Sequence, residues 1–96
     1  MRFRMSFDFD VSDELKAAMR KLQSKDKVRM AILNKKIKEI VDNNTKSIDR
    51  YKNLRYSLND YKRAHIDKSF VLIFQVDKGK SHILFDKLEH HDKIYK

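Results

Sequence analysis

The sequence predicts an α+β fold in which two N-terminal helices pack on one face of a small, mostly antiparallel sheet, in the order β-α-α-β-β-β. Three observations carry this prediction. The chain opens on a strict two-residue alternation, then places apolar residues at helical spacing in two successive stretches. Its second half holds three short strand-like runs around the sole glycine, Gly79.

In "RFRMSFDFD" the apolar Phe3, Met5, Phe7 and Phe9 alternate with charged or polar residues, the pattern of a strand with one buried face. "VSDELKAAMRKLQ" then changes period: Val11, Leu15, Ala18, Met19 and Leu22 form one helical stripe. Ser12 is the expected N-cap, and Asp13 and Glu14 place negative charge in the first turn, where the helix dipole favours it. After a short "QSK" connection, Met30, Leu33, Ile37, Ile40 and Val41 repeat the helical spacing, so the two helices are expected to be antiparallel. The lysines between them read as a solvated face. "NNTKSIDRYKNLRYSLND" has no period and is expected to be a basic loop with at most a turn of helix.

"YKRAHI" alternates again, and "FVLIFQV" is continuously apolar, as a strand buried on both faces would be. "DKGK" is the expected hairpin turn and "HILFDKL" the returning strand. If Ala64 and Ile66 face the helices, then Tyr61, Arg63 and His65 face the other way, because side chains alternate along a strand. The open face would then carry a phenol, a guanidinium and an imidazole. The terminal "HHDKIY" follows the last strand and is placed to fold over that face.

The 96 residues are expected to form one domain spanning 1–96, able to bury about 60–68% of its unfolded surface. Lys and Arg number 23 against 14 Asp and Glu, a formal charge of +9 that draws polyanions such as nucleic acid, an anionic membrane or an acidic protein. No cysteine is present, which excludes a zinc ribbon, a dithiol redox motif and a disulfide framework. The charged, alternating start is unlike a signal peptide, and no apolar run approaches the ~20 residues of a membrane helix. A soluble, cytoplasmic protein is therefore expected.

Four chemistries fit the clustered side chains. His65, His90, His91 and a carboxylate offer metal ligands, but without a recognised ligand spacing. Ser69 near His65 lacks the glycine-flanked turn of a nucleophilic serine. Metal-free RNA cleavage needs a base, an acid and cations around the phosphorane-like transition state. Histidine suits the proton transfers, Lys and Arg the charge, and Tyr a hydrogen bond or a stacking face. Such cleavage requires no cofactor. The fourth possibility is phosphate binding without chemistry. His82 reads as an exposed residue, His90 as a solvated neighbour of His91, and Asp92 as a local cap or pair.

The stretches "LNDYKRAHIDKSFVLIFQVDKG" and "EHHDKIY", in that order and at that spacing, resemble the RelE/ParE superfamily of toxins, and within it the YafQ branch of mRNA interferases. The similarity spans Ile40 to Tyr95. The resemblance implies a ribosome-dependent endoribonuclease of a type II toxin–antitoxin system that enters the ribosomal A site and cuts mRNA. It also implies a small, acidic, partly disordered antitoxin as partner. His65 matches the active-site histidine of the middle strand and His91 the near-terminal histidine. Tyr95 stands where the branch has a functional aromatic. Lys52 falls at or near the place of a further active-site histidine, and Ser69 stands where the branch carries a functional Asp. On this reading His65, His91 and Tyr95 are the catalytic candidates, and Lys52, Lys62, Arg63 and Ser69 the RNA and phosphate contacts. The rival expectation is a non-enzymatic member: a ParE-like gyrase inhibitor, or an inactive toxin held by its antitoxin. A general RNA-binding module is a third.

Overall fold

A computed structural model of the chain describes residues 7–54 and 61–94. Its elements follow the predicted order. Strand β1 spans Asp8–Val11, helix α1 Asp13–Lys25 and helix α2 Lys27–Val41; a 3-10 turn covers Ser47–Arg50. Strands β2 (Tyr61–His65), β3 (Phe70–Asp77) and β4 (His82–His90) follow, and a four-residue helix α3 (His91–Ile94) comes after them.

Ser12 caps α1 as expected, its hydroxyl oxygen accepting the Leu15 N–H at 3.0 Å. The same hydroxyl donates to the Asp86 carbonyl, and the Ser12 N–H donates to the Phe85 carbonyl, so the cap also fastens α1 to β4. Val11 ends β1 rather than joining the helical stripe. The helix connection is shorter than "QSK" and lies further on. Asp26 alone separates the helices, its N–H closing α1 on Leu22 and its carboxylate accepting the Arg29 N–H of α2.

The sheet order is β1-β4-β3-β2, with β1 parallel to β4 and the other pairs antiparallel. Both helices lie on one face. Leu15, Met30, Leu33, Ile37, Ile40 and Val41 meet Leu72, Phe74, Val76, Ile83 and Phe85 there in one apolar core. Such burial, at about 25 cal/mol per Å² of apolar surface, is what holds the helices to the sheet. Val71 and Ile73 are buried on the other face too, so β3 is enclosed on both sides as its unbroken apolar run predicts.

The N-terminal strand is the main departure. Phe3 and Met5 lie outside the described residues. Phe7 is buried, but Phe9 is 43% exposed and meets Phe85 edge-on with ring centroids 5.7 Å apart. The period-two reading expected both in the core. Phe9 sits on an edge strand with one neighbour, which leaves part of its ring uncovered. At the β3–β4 turn Gly79 keeps a negative φ; the left-handed residue is Ser81, at φ 51°. Among the described residues, no helix is long and apolar enough to cross a membrane.

Candidate active site

The site is built from β2, the loop before it and the chain's end. β2 pairs with β3 on one side. On its other side, which would otherwise be a bare sheet edge, residues 52–54 run alongside: the Arg63 N–H donates to the Lys52 carbonyl and the Leu54 N–H to the Tyr61 carbonyl. Arg63 Nη1 adds a 2.7 Å bond to the Asn53 carbonyl. Residues 52–54 are thereby held against β2.

The alternation of β2 decides which of its cations face a ligand. Arg63 is half-buried and His65 exposed. Lys62 points towards the helices and is 7% exposed. Its ammonium donates to the Tyr51 carbonyl and to Asn53 Oδ1, both at 3.1 Å, and pairs with Asp49 at 3.3 Å. The expectation that Lys62 contacts phosphate is therefore corrected: a buried ammonium with three internal partners is a structural clamp on the 51–53 segment. Asp49 also takes a 2.7 Å bond from Lys78, and that bond, then the one from Lys62, holds its carboxyl below the usual range.

Beside this clamp lies a cleft of about 410 Å³ lined by Lys36, Arg50, Tyr51, Lys52, Arg63 and His65. Four cations and an imidazole thus face one space, a focused positive field suited to phosphate. Lys36 and Arg50 were not singled out from the sequence, because one sits among the lysines of α2 and the other in a loop without period. At the back of the cleft, the Tyr51 hydroxyl donates to Glu39 at 3.0 Å. Partial burial pushes the Glu39 carboxyl up, but hydrogen bonds from Tyr51 and Lys36 outweigh it, and the carboxyl lies below its usual range. The Tyr51 phenol is raised, first by burial and then by Glu39.

The segment after β4 does fold back as far as it is described. The His91 N–H donates to the Ser69 carbonyl at 2.6 Å, which seats α3 on the turn between β2 and β3. That turn is itself held by Asp67, whose Oδ1 accepts the N–H groups of Ser69 and Phe70 at 2.8 and 2.9 Å. Asp67 Oδ2 binds Arg29 Nε at 2.8 Å, and the Arg29 guanidinium lies 4.6 Å from the centre of the Phe70 ring. Burial raises the Asp67 carboxyl, but the Arg29 bond and the two backbone N–H groups overcome this and hold it low. The outcome is a pair of imidazoles: the His65 and His91 rings have centroids 5.6 Å apart, tilted by 40°.

The other candidates are distributed less tightly. Ser69 contributes its backbone to the seat of His91, and Asp67 is the carboxylate of this turn. His90 packs edge-on against Phe70. His82, expected to be merely exposed, is bonded to Asp10 at 2.9 Å towards the opposite, β1 edge of the sheet. Tyr95 lies outside the described residues. Among the described residues, no three of His, Asp and Glu are grouped so as to hold a metal ion.

No family model matches the chain. A Methanocaldococcus jannaschii protein whose name marks it as a candidate RelE toxin (RelE4) is 42% identical over 90 residues, covering 94% of this chain and 92% of its own length. A chain of the E. coli DinJ–YafQ toxin–antitoxin complex shares the fold with a TM-score of 0.72 at 17% identity, over 96% of this chain and 100% of that one. A chain of the Staphylococcus aureus YoeB–YefM complex does so with a TM-score of 0.70 at 21% identity, over 88% and 97%. The superpositions establish the shared architecture, and 42% identity to the RelE4 protein over nearly the full length goes further: this chain belongs to the RelE-like toxin family.

Proposed function

We propose that the protein is the toxin of a toxin–antitoxin pair and acts in the cytoplasm as a ribosome-dependent mRNA endoribonuclease, without a metal or other cofactor. The observation that carries this reading is the His65–His91 pair, 5.6 Å between ring centroids, with His65 lining a cleft that holds four cations. Binding alone needs positive charge; two neighbouring imidazoles add groups that exchange protons.

In the proposed reaction the ribose 2′-OH attacks the adjacent phosphorus. One imidazole takes the hydroxyl proton as the O2′–P bond forms, and the other gives a proton to O5′ as the P–O5′ bond breaks. The products are a 2′,3′-cyclic phosphate and a 5′-hydroxyl, so protons and atoms balance with no further reactant. His65 and His91 share these roles, with the order unassigned. Arg63 and Lys52, joined by Arg50 and Lys36, offset the charge on the phosphorane-like transition state. Tyr95 orients the nucleotide. Ser69 stands where the branch carries an Asp and Lys52 at or near the place of a His, and on this reading Lys52 acts as a charge stabiliser.

Two solved relatives in fold are complexes with antitoxins, DinJ with YafQ and YefM with YoeB. By analogy, and because a +9 chain attracts opposite charge, a small, acidic, partly disordered antitoxin is the proposed partner. The ribosomal A site and its mRNA are the proposed target.

A translation reaction with purified ribosomes, followed by primer extension on the message, tests the nuclease. Wild-type protein should give discrete cuts, and His91→Ala and His65→Ala should each slow cutting by about 10²–10⁴-fold. Equal survival of the message with wild type and with His91→Ala would leave the non-enzymatic readings, a ParE-like gyrase inhibitor or an inactive toxin, in its place.

A further inference from the structure

A second cavity, of about 430 Å³, opens beside the cationic cleft, lined by Leu54, Tyr61, Ile73, Asp86, Lys87 and Glu89, with Lys93. Register places it next to the imidazole pair. Arg63 lies opposite Ile73 and Ile73 opposite Lys87; His65 lies opposite Val71 and Val71 opposite Glu89. Directly paired residues point to the same face, so Glu89 stands two strands from His65, roughly 10 Å at ordinary sheet spacing. A β-bulge after Phe85 adds a residue to β4: Phe85 stays opposite Phe74 in the core while Lys87 faces Ile73. The extra residue is Asp86, and the bulge turns it into the cavity.

The lining is chemically unlike the cleft. Tyr61, Ile73 and Leu54 give a phenol ring and apolar surface, which suit a flat heterocycle. Asp86 and Glu89 add two carboxylates and Lys87 and Lys93 two ammonium groups, none of them ion-paired among the described residues. The two signs balance, so this lining does not draw phosphate as the cationic cleft does, and its carboxylates suit a base that presents N–H groups. Guanine presents two adjacent donors on its Watson–Crick edge, N1–H and the 2-amino group, which match both oxygens of one carboxylate. Adenine and cytosine present one amino group there, and uracil one imino N–H.

We infer that this cavity is a nucleobase subsite selective for guanine, set beside the cleft that holds the phosphate. The inference rests on the reading of the protein as one that acts on RNA, and it names the base read next to the reacting phosphate.

Methyl-resolved NMR titrations of the intact protein with guanosine, adenosine, cytidine and uridine 5′-monophosphates test it without requiring turnover. The Leu54 and Ile73 methyl signals should shift with guanosine monophosphate at a concentration about tenfold lower than with any of the other three nucleotides. Asp86→Asn/Glu89→Gln protein, its fold checked by unchanged Phe74-side methyl signals, should lose that difference. Three results would overturn the subsite. They are another nucleotide matching guanosine monophosphate at Ile73, shifts with guanosine monophosphate confined to the Lys52–His65 cleft, and a double variant that keeps the preference. A wild-type protein that leaves mRNA uncut yet prefers guanine at Ile73 removes the nuclease reading and upholds the subsite.

Discussion

The two faces of the sheet use similar residues for different ends, and β2 shows it most directly. Lys62 and Arg63 are adjacent cations on one strand. Lys62 turns to the helix side, where it is closed over and bound to Tyr51, Asn53 and Asp49. Arg63 turns to the open side and lines the cleft with His65. Lys62 thus belongs to the packed core that fixes geometry, while Arg63 and His65 face the cleft that is proposed to take the ligand. Charge alone therefore does not identify a binding residue. What decides is whether the side chain is closed over inside the protein, as Lys62 is, or left lining open space, as Arg63 is.

The comparison predicts that core substitutions on the helix side cost most in stability. Phe74 is fully buried against Phe85 and Tyr51. Phe74→Ala should destabilise by about 3–5 kcal/mol in urea or thermal unfolding, through lost burial and the cavity left behind. Near-wild-type stability would mean that the sheet's apolar side is not the main source of cohesion.

Exchanging the two cations on β2 sharpens the contrast. Lys62→Met should cost about 1–3 kcal/mol, because the Tyr51 carbonyl and Asn53 Oδ1 lose their donor inside the protein. It should also raise amide hydrogen exchange at Leu54 and Arg63, whose bonds hold the 52–54 segment. Arg63→Ala should change stability by less than about 1 kcal/mol yet lower mRNA cleavage by roughly 10²-fold. If Arg63→Ala proved the more destabilising of the two, the division of labour along β2 would be reversed.

How much of this was legible in the sequence follows from the range of the interactions involved. Periodicity is local, so the two helices, the three strands of the second half, the order of elements and the face shared by Tyr61, Arg63 and His65 could be read directly. The His65–His91 encounter came from a strand assignment and a chain end placed to fold back. The partners of Lys62 could not be read, since a lysine in an alternating strand looks like any other surface charge. Nor could the His82–Asp10 pair, which depends on β1 joining β4 across 72 positions of sequence. Arg29 and Asp67 are 38 positions apart and are brought together by the packing of α2 on the turn after β2.

A smaller effect is expected at the first helix cap, where one hydroxyl serves both helix and sheet. Ser12→Ala removes the bond to the Leu15 N–H and the bond to the Asp86 carbonyl. A loss of about 1 kcal/mol is expected, typical of an N-cap. Because Asp86 sits in the β4 bulge, the variant should also shift the Leu54 and Ile73 methyl signals of the neighbouring cavity. A cap of purely local importance would leave them unmoved.

The smallest expected effect lies at Asp67, which joins the helix side to the open side. Its carboxylate binds Arg29 and caps the turn on which His91 is seated. Its folded-state carboxyl is held below the ordinary value of 3.8, so the charged form is the one that folding favours. The sign follows: the contribution is fully present above the unfolded value, near pH 4, and is lost as pH falls through the lower folded value. With a quarter of the side chain exposed, solvent screening keeps the gain below about 1 kcal/mol. Asp67→Asn should therefore be slightly less stable than wild type at neutral pH, and the two unfolding curves should converge below about pH 4. A difference that stayed constant down to pH 2 would assign the effect to the shape of the turn and not to its charge. In that case the link from Arg29 through Asp67 to the seat of His91 is steric, and protonation would leave the imidazole pair where it is.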